Sequence, residues 1–68
     1  MNMEWIKTEI LRPPYTEDTP CLVWYRGEVT ILYWNAYYKS WDTFDGDDHE
    51  CDALEVEYWM PLPEKPKN

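Results

Sequence analysis

Asp45-Gly46-Asp47-Asp48-His49-Glu50-Cys51-Asp52 gathers most of the residues in this chain that could do chemistry. Carboxylates at this density could hold a cation, and a glycine among them invites a calcium reading. An EF-hand loop needs glycine at its central bend and acids at fixed offsets around it. With Gly46 at that bend, the ligand positions fall on Trp41, Thr43, Asp45 and Asp52, of which only the last two suit, so the EF-hand reading fails. A looser cation site from Asp45, Asp47, Asp48 and Asp52 stays open. His49 and Cys51 could join Cys21 or an Asp around zinc, but the paired Cys/His spacing of structural zinc sites is absent. Ser40, His49 and Cys51 are close in sequence, yet a catalytic triad is defined by geometry rather than proximity. Paired carboxylates need opposed positions across a cleft to act as acid and base, and a domain this small offers little room for one. The expectation is a protein with no catalytic residues, metal or cofactor.

The charge is concentrated as well. Residues 1–41 carry five acids (Glu4, Glu9, Glu17, Asp18, Glu28) and four bases (Lys7, Arg12, Arg26, Lys39), a net of -1. Residues 42–58 carry eight acids (Asp42, Asp45, Asp47, Asp48, Glu50, Asp52, Glu55, Glu57) and no base, and the tail, with Glu64, Lys65 and Lys67, returns +1, giving -8 in all. Direct binding to a phosphate backbone needs clustered Lys and Arg, so nucleic acid is not the expected partner. A cationic protein surface is. Mimicry of nucleic acid is the sharper alternative, and a magnitude tempers it. The acidic segment, fully extended, carries one charge per roughly 7 Å, against one per about 1.7 Å of duplex axis. The segment must fold compactly beside Glu55 and Glu57 to compete.

What positions these groups is one small aromatic domain. The 68 residues include five Trp, six Tyr and one Phe. A chain of this size buries only about 60% of the surface that it exposes unfolded, while each aromatic can bury about 150–250 Å². Several rings must therefore lie outside, where Trp and Tyr serve as contact anchors. Cross-strand packing is the structural alternative for Trp24, Trp34 and Trp41 with Tyr37 and Tyr38.

Helical signals are weak, because Pro13, Pro14, Pro20, Pro61, Pro63 and Pro66 interrupt any long register. Strand signals are better. Cys21, Val23 and Tyr25 alternate with Leu22, Trp24 and Arg26; after Gly27, Val29, Ile31 and Tyr33 alternate with Glu28, Thr30, Leu32 and Trp34. Arg26-Gly27 reads as a tight hairpin turn. A second turn is expected at Asn35-Ala36, then a strand through Tyr38 to Phe44, an acidic loop around 45–48, and a half-buried strand over 54–60 that stops at Pro61. Residues 9–20 read as an irregular connection and 64–68 as a fraying tail. Asn2, Glu4 and Lys7 break any secretory apolar run, so a cytosolic setting is expected. Cys21 and Cys51 are then more consistent with reduced thiols, although a bridge between them stays open.

Trp59-Met60-Pro61-Leu62-Pro63, followed by Glu64-Lys65-Pro66, resembles the end of a family of small phage and prophage domains catalogued as a domain of unknown function (family 551). The similarity extends to Trp5-Ile6, Pro13-Pro14, Leu22-Val23 and Trp41. It implies a phage or prophage origin, a bacterial host cytoplasm and a small domain with strands, and it carries over no catalytic residues. The acidic, aromatic 37–58 region exceeds what the family pattern requires.

The resulting expectation is an all-β domain, an antiparallel meander of three to five strands, curled or barrel-like, with Trp5 and Trp59 on neighbouring strands or packed together. Its function is expected to be non-enzymatic protein binding by a phage accessory protein. The binding face combines Trp34, Tyr37, Tyr38 and Trp41 with Asp45, Asp47 and Asp48; homodimerisation through the same patch is equally allowed.

Overall fold

Arg26 and Gly27 both take positive φ, 53° and 78°. That pair makes a two-residue turn of the primed kind, whose twist matches that of the strands it joins. It sets Tyr25 opposite Glu28 and thereby fixes the register of the longest hairpin, β2 (Thr19–Tyr25) with β3 (Glu28–Asn35). In the computed structural model, which describes residues 4–44 and 48–63, this hairpin is the centre of one antiparallel sheet. The other strands are β1 (Ile6–Lys7), β4 (Ser40–Asp42), β5 (His49–Asp52) and β6 (Tyr58–Pro61).

The strand order is β1-β6-β2-β3-β4-β5. The all-β antiparallel expectation holds; the described residues form six strands, one more than the upper end of the three to five expected, and of the curled or barrel-like alternatives the sheet is not closed into a barrel. From β2 to β5 the chain meanders as expected. The last strand then returns across the sheet and inserts between β1 and β2, so both the 8–18 and the 53–57 connections must cross from one strand to a non-neighbour.

Those two connections close the core. Cross-strand partners share a face of the sheet, which puts Trp59, Val23, Cys21, Leu32, Trp34, Trp41 and Cys51 on one side. All are buried, together with Tyr25, Ala36, Ala53 and Val56. Tyr15, from the first connection, meets the Trp59 ring edge-on at 6.0 Å. The indoles pin the connections chemically. Trp59 Nε1 donates to the Leu11 carbonyl at 2.8 Å, and Trp41 Nε1 to the Ala53 carbonyl at 3.1 Å. Each bond ties a core indole to a carbonyl outside the sheet ladder; the Ala53 carbonyl also accepts from Val56 N–H at 3.4 Å.

Several local expectations change. The strand expected through Tyr38 to Phe44 is only Ser40–Asp42, because residues 36–39 form a longer turn. The alternation expected over 54–60 is broken by a 3₁₀ turn at Ala53–Glu55, whose start is capped by Asp52 N–H donating to Glu55 Oε2 at 2.9 Å. Leu54 is consequently exposed while Val56 is buried. His49–Asp52, between the loop expected around 45–48 and the strand expected over 54–60, is an additional edge strand, β5. Ile6 pairs with Trp59, so the two tryptophan-bearing ends are neighbours as expected. Trp5 and Trp59 do not stack: Trp59 faces the core, and Trp5 lines an outer cleft with Trp24 and Tyr58. Cys21 and Cys51 are free thiols on β2 and β5, separated by β3 and β4.

Candidate functional site

Asn35 ends β3 and organises the turn that follows. Its side-chain oxygen accepts from Tyr37 N–H at 3.0 Å and Tyr38 N–H at 2.9 Å, and its amide donates to Asp42 Oδ2 at 2.9 Å. Its backbone carbonyl accepts from Lys39 N–H at 2.8 Å. Asp18, reaching from the first connection, accepts from Ala36 N–H at 3.0 Å, and Lys39 Nζ donates to the Ala36 carbonyl at 2.8 Å. Lys39 sits at φ 57°, a left-handed conformation that side chains other than glycine, Asn and Asp rarely take. A turn this thoroughly bonded holds a defined shape. Its tip carries Tyr37 and Tyr38, 83% and 73% exposed, with their rings edge-to-face 4.8 Å apart.

The remaining residues of the expected binding face divide differently. Trp34 and Trp41 are 1% and 0% exposed, so both belong to the core and neither can anchor a partner as a surface ring. The reason is the register: Trp34 is opposite Trp41, and Thr19 opposite Trp34, on the side where the two connections pack. Asp48 is exposed and closes a loop with Thr43, whose N–H donates to the Asp48 carbonyl at 2.8 Å. Asp45 and Asp47 lie outside the described residues, as does the Gly46 bend. Two of the four carboxylates of the looser cation site expected from Asp45, Asp47, Asp48 and Asp52 therefore lie outside the described residues. Among the described residues no group of three or more His, Cys, Asp and Glu side chains is placed to hold a metal ion.

The chemistry suggested for the sulfur and imidazole groups is also limited by placement. Burial pushes the Cys21 thiol up to about 12 and the Cys51 thiol up to about 11. Both stay protonated near neutrality, and a thiol rather than a thiolate is a poor nucleophile and a poor metal ligand. His49 Nε2 lies 3.8 Å from Asp52 Oδ1 on the exposed edge strand.

Two surfaces were not legible beforehand. The first is a groove of about 800 Å³, despite the expectation that so small a domain has little room for a cleft. It runs between the two connections. Arg12, Pro13, Pro14 and Tyr15 line it from the first connection, Asp52, Ala53 and Leu54 from the end of β5 and the second connection, and Tyr38 and Lys39 from the turn after β3. Trp34 also lines it, and its indole N–H has no hydrogen-bond partner. The second is the outer face of the sheet, where Trp5, Trp24 and Tyr58 enclose an apolar cleft of about 170 Å³. Val29 and Phe44 are exposed on or beside that face, and Phe44 meets the Tyr33 ring at 6.1 Å.

No described helix is long and apolar enough to cross a membrane. Comparison with protein-family models, with curated proteins and with solved structures gave no match to this chain.

Proposed function

We propose that this chain is a non-enzymatic binding protein that docks on another protein through the turn after β3, with Tyr37 and Tyr38 as its anchors. The observation that carries this reading is the hydrogen-bonded frame that holds two exposed phenols in place. Aromatic side chains held in shape lose little freedom on binding, so most of their contact area is converted to affinity. Buried rings cost nothing to keep, but exposed paired rings on a turn fixed by Asn35 and Asp18 have no evident role in the core. The partner is a protein with a basic surface. The eight acids of residues 42–58 follow directly on the turn and favour encounter with positive charge.

The resemblance of Trp59-Met60-Pro61-Leu62-Pro63 to phage domains supports a phage or prophage accessory protein acting in the cytoplasm of a bacterial host. Affinity capture from host lysate tests the reading. Wild-type protein should retain a basic protein that the Tyr37→Ala/Tyr38→Ala variant loses, with capture weakening moderately as salt rises. Steep salt dependence with no loss in the tyrosine variant would favour the nucleic-acid mimic instead.

Self-assembly has its own supporting observation, the partly exposed Trp5, Trp24 and Tyr58 on the outer sheet face. Light scattering separates it: a dimer abolished by Trp24→Ser, and unaffected by the tyrosine changes, belongs to that face.

A further inference from the structure

Three indoles are fully buried in this fold, and they differ in one respect. Those of Trp41 and Trp59 donate to carbonyls of the two connections, while the Trp34 indole donates to nothing. A buried N–H without an acceptor is costly, and native structures rarely keep one without a use. Trp34 is also the one of the three that lines the groove between those connections.

The groove has a charge opposite to that of the chain. Arg12 and Lys39 line it, and Asp52 is the sole acid among the lining residues, leaving +1 in a protein of net charge -8. No carboxylate is in ion-pair contact with Arg12 or Lys39 among the described residues. Between the charges lie apolar walls: Pro13, Pro14, Tyr15 and Leu54. An open channel with an apolar lining, two cations and an unused donor suits an extended chain that brings an acceptor and a negative end.

We propose that this groove binds the carboxylate-bearing end of an extended peptide from a protein partner. Arg12 and Lys39 receive the carboxylate, Tyr15 and the two prolines receive the apolar side chains, and an oxygen of the peptide accepts from Trp34 Nε1–H. That nitrogen is closed to solvent, so the acceptor reaches it through a small displacement of the flanking side chains. The site is separate from the exposed tyrosine pair in its chemistry: it selects an anion, whereas the acidic stretch beside the turn selects a cation.

The test is an NMR titration of the full ¹⁵N-labelled chain, followed at the tryptophan indole resonances. The probes are acetyl-Ala-Pro-Phe with a free C-terminal carboxylate and the same peptide as its carboxamide. The Trp34 indole resonance, assigned by its disappearance in Trp34→Phe, should move on addition of the carboxylate peptide, with those of Trp41 and Trp59 nearly still. The carboxamide should bind about fivefold more weakly, the weight of a partly exposed ion pair. Arg12→Gln, an exposed change that leaves the core intact, should lose a similar factor, and Tyr37→Ala, which lies outside the groove, should lose none. Equal binding of acid and amide overturns the proposal, as does an unmoved Trp34 resonance at millimolar peptide. A response to inorganic phosphate but not to the peptide overturns it in favour of a small anion. The capture variant changes Tyr38, which also lines the groove, so Arg12→Gln keeps the two readings apart: it should weaken the peptide and leave capture of the basic protein intact.

Discussion

The rings of Trp34 and Trp41 meet edge-to-face across β3 and β4, 5.0 Å between centroids and 71° between planes, yet only the Trp41 N–H is hydrogen-bonded. The pair joins the meander to the return connection. Trp41 holds the 3₁₀ turn in place, and Trp34 fills the space beneath the groove.

That asymmetry makes the two positions unequal on mutation. Trp41→Phe removes a buried donor from the Ala53 carbonyl as well as ring volume, and should cost about 2–3 kcal/mol. Trp34→Phe removes a donor that had no acceptor, so it should cost at least about 1 kcal/mol less. Urea denaturation of both variants gives the comparison, and equal losses would mean that the indole of Trp34 is bonded after all.

Gly27→Ala isolates the backbone requirement of the central hairpin. No atom lies within 4 Å of where the new methyl group would stand, while φ is +78°. The cost should be purely conformational, about 1–2 kcal/mol, seen as a lower denaturation midpoint with an unchanged slope. A neutral result would show that the turn does not need its primed geometry.

Asn35→Ala strips the turn of the side chain that receives the Tyr37 and Tyr38 amides and donates to Asp42. Stability should fall by about 1–2 kcal/mol, and partner capture should fall further than stability alone explains, because the tyrosines lose their fixed orientation. Hydrogen exchange at the amides of residues 37 and 38 should accelerate in parallel.

Alkaline pH should unfold the protein earlier than its carboxylates would suggest. Burial raises Cys21 from 9.0 to about 12 and Tyr25 from 10.0 to about 12, and Cys51 rises from 9.0 to about 11. Between the unfolded and folded values the unfolded chain has released protons that the folded chain retains. Stability is therefore fully present below pH about 9 and is lost as pH rises toward about 12. Denaturant midpoints measured across that window check it; a flat profile would mean that these groups titrate alike in both states. Cys21→Ala should make the decline shallower.

Much of the scaffold could be read from residues alone, and the misreadings have identifiable causes. The alternation in 21–34 with Gly27 between specifies the central hairpin, and the register of that hairpin specifies which rings are buried. A two-residue turn at Arg26-Gly27 forces Cys21 opposite Leu32 and Thr19 opposite Trp34. Trp34 therefore shares the face of Cys21 and Val23, and its burial was legible. Trp41 was harder, because its face depends on the length of the Asn35–Ser40 turn, which is set by side-chain bonds from Asn35 and from Asp18 seventeen positions before it. Strand β5 is hidden by its composition: of His49, Glu50, Cys51 and Asp52 only Cys51 is buried, so no apolar alternation marks this acidic edge strand. The groove could not be seen at all. Its walls come from residues 12–16 and 52–54, which meet only because β6 returns between β1 and β2.

The central claim is that the two phenols at the tip of the β3–β4 turn are the surface a partner covers. Tyrosine nitration followed by mass spectrometry tests it most directly, first on the isolated protein and then on the protein carrying the partner captured from host lysate. Alone, Tyr37 and Tyr38 should react ahead of Tyr15, Tyr25, Tyr33 and Tyr58, in keeping with their exposure; with the partner bound, those two should be selectively protected. Unchanged labelling at both, with protection shifted to Tyr58 on the outer sheet face, would contradict the account.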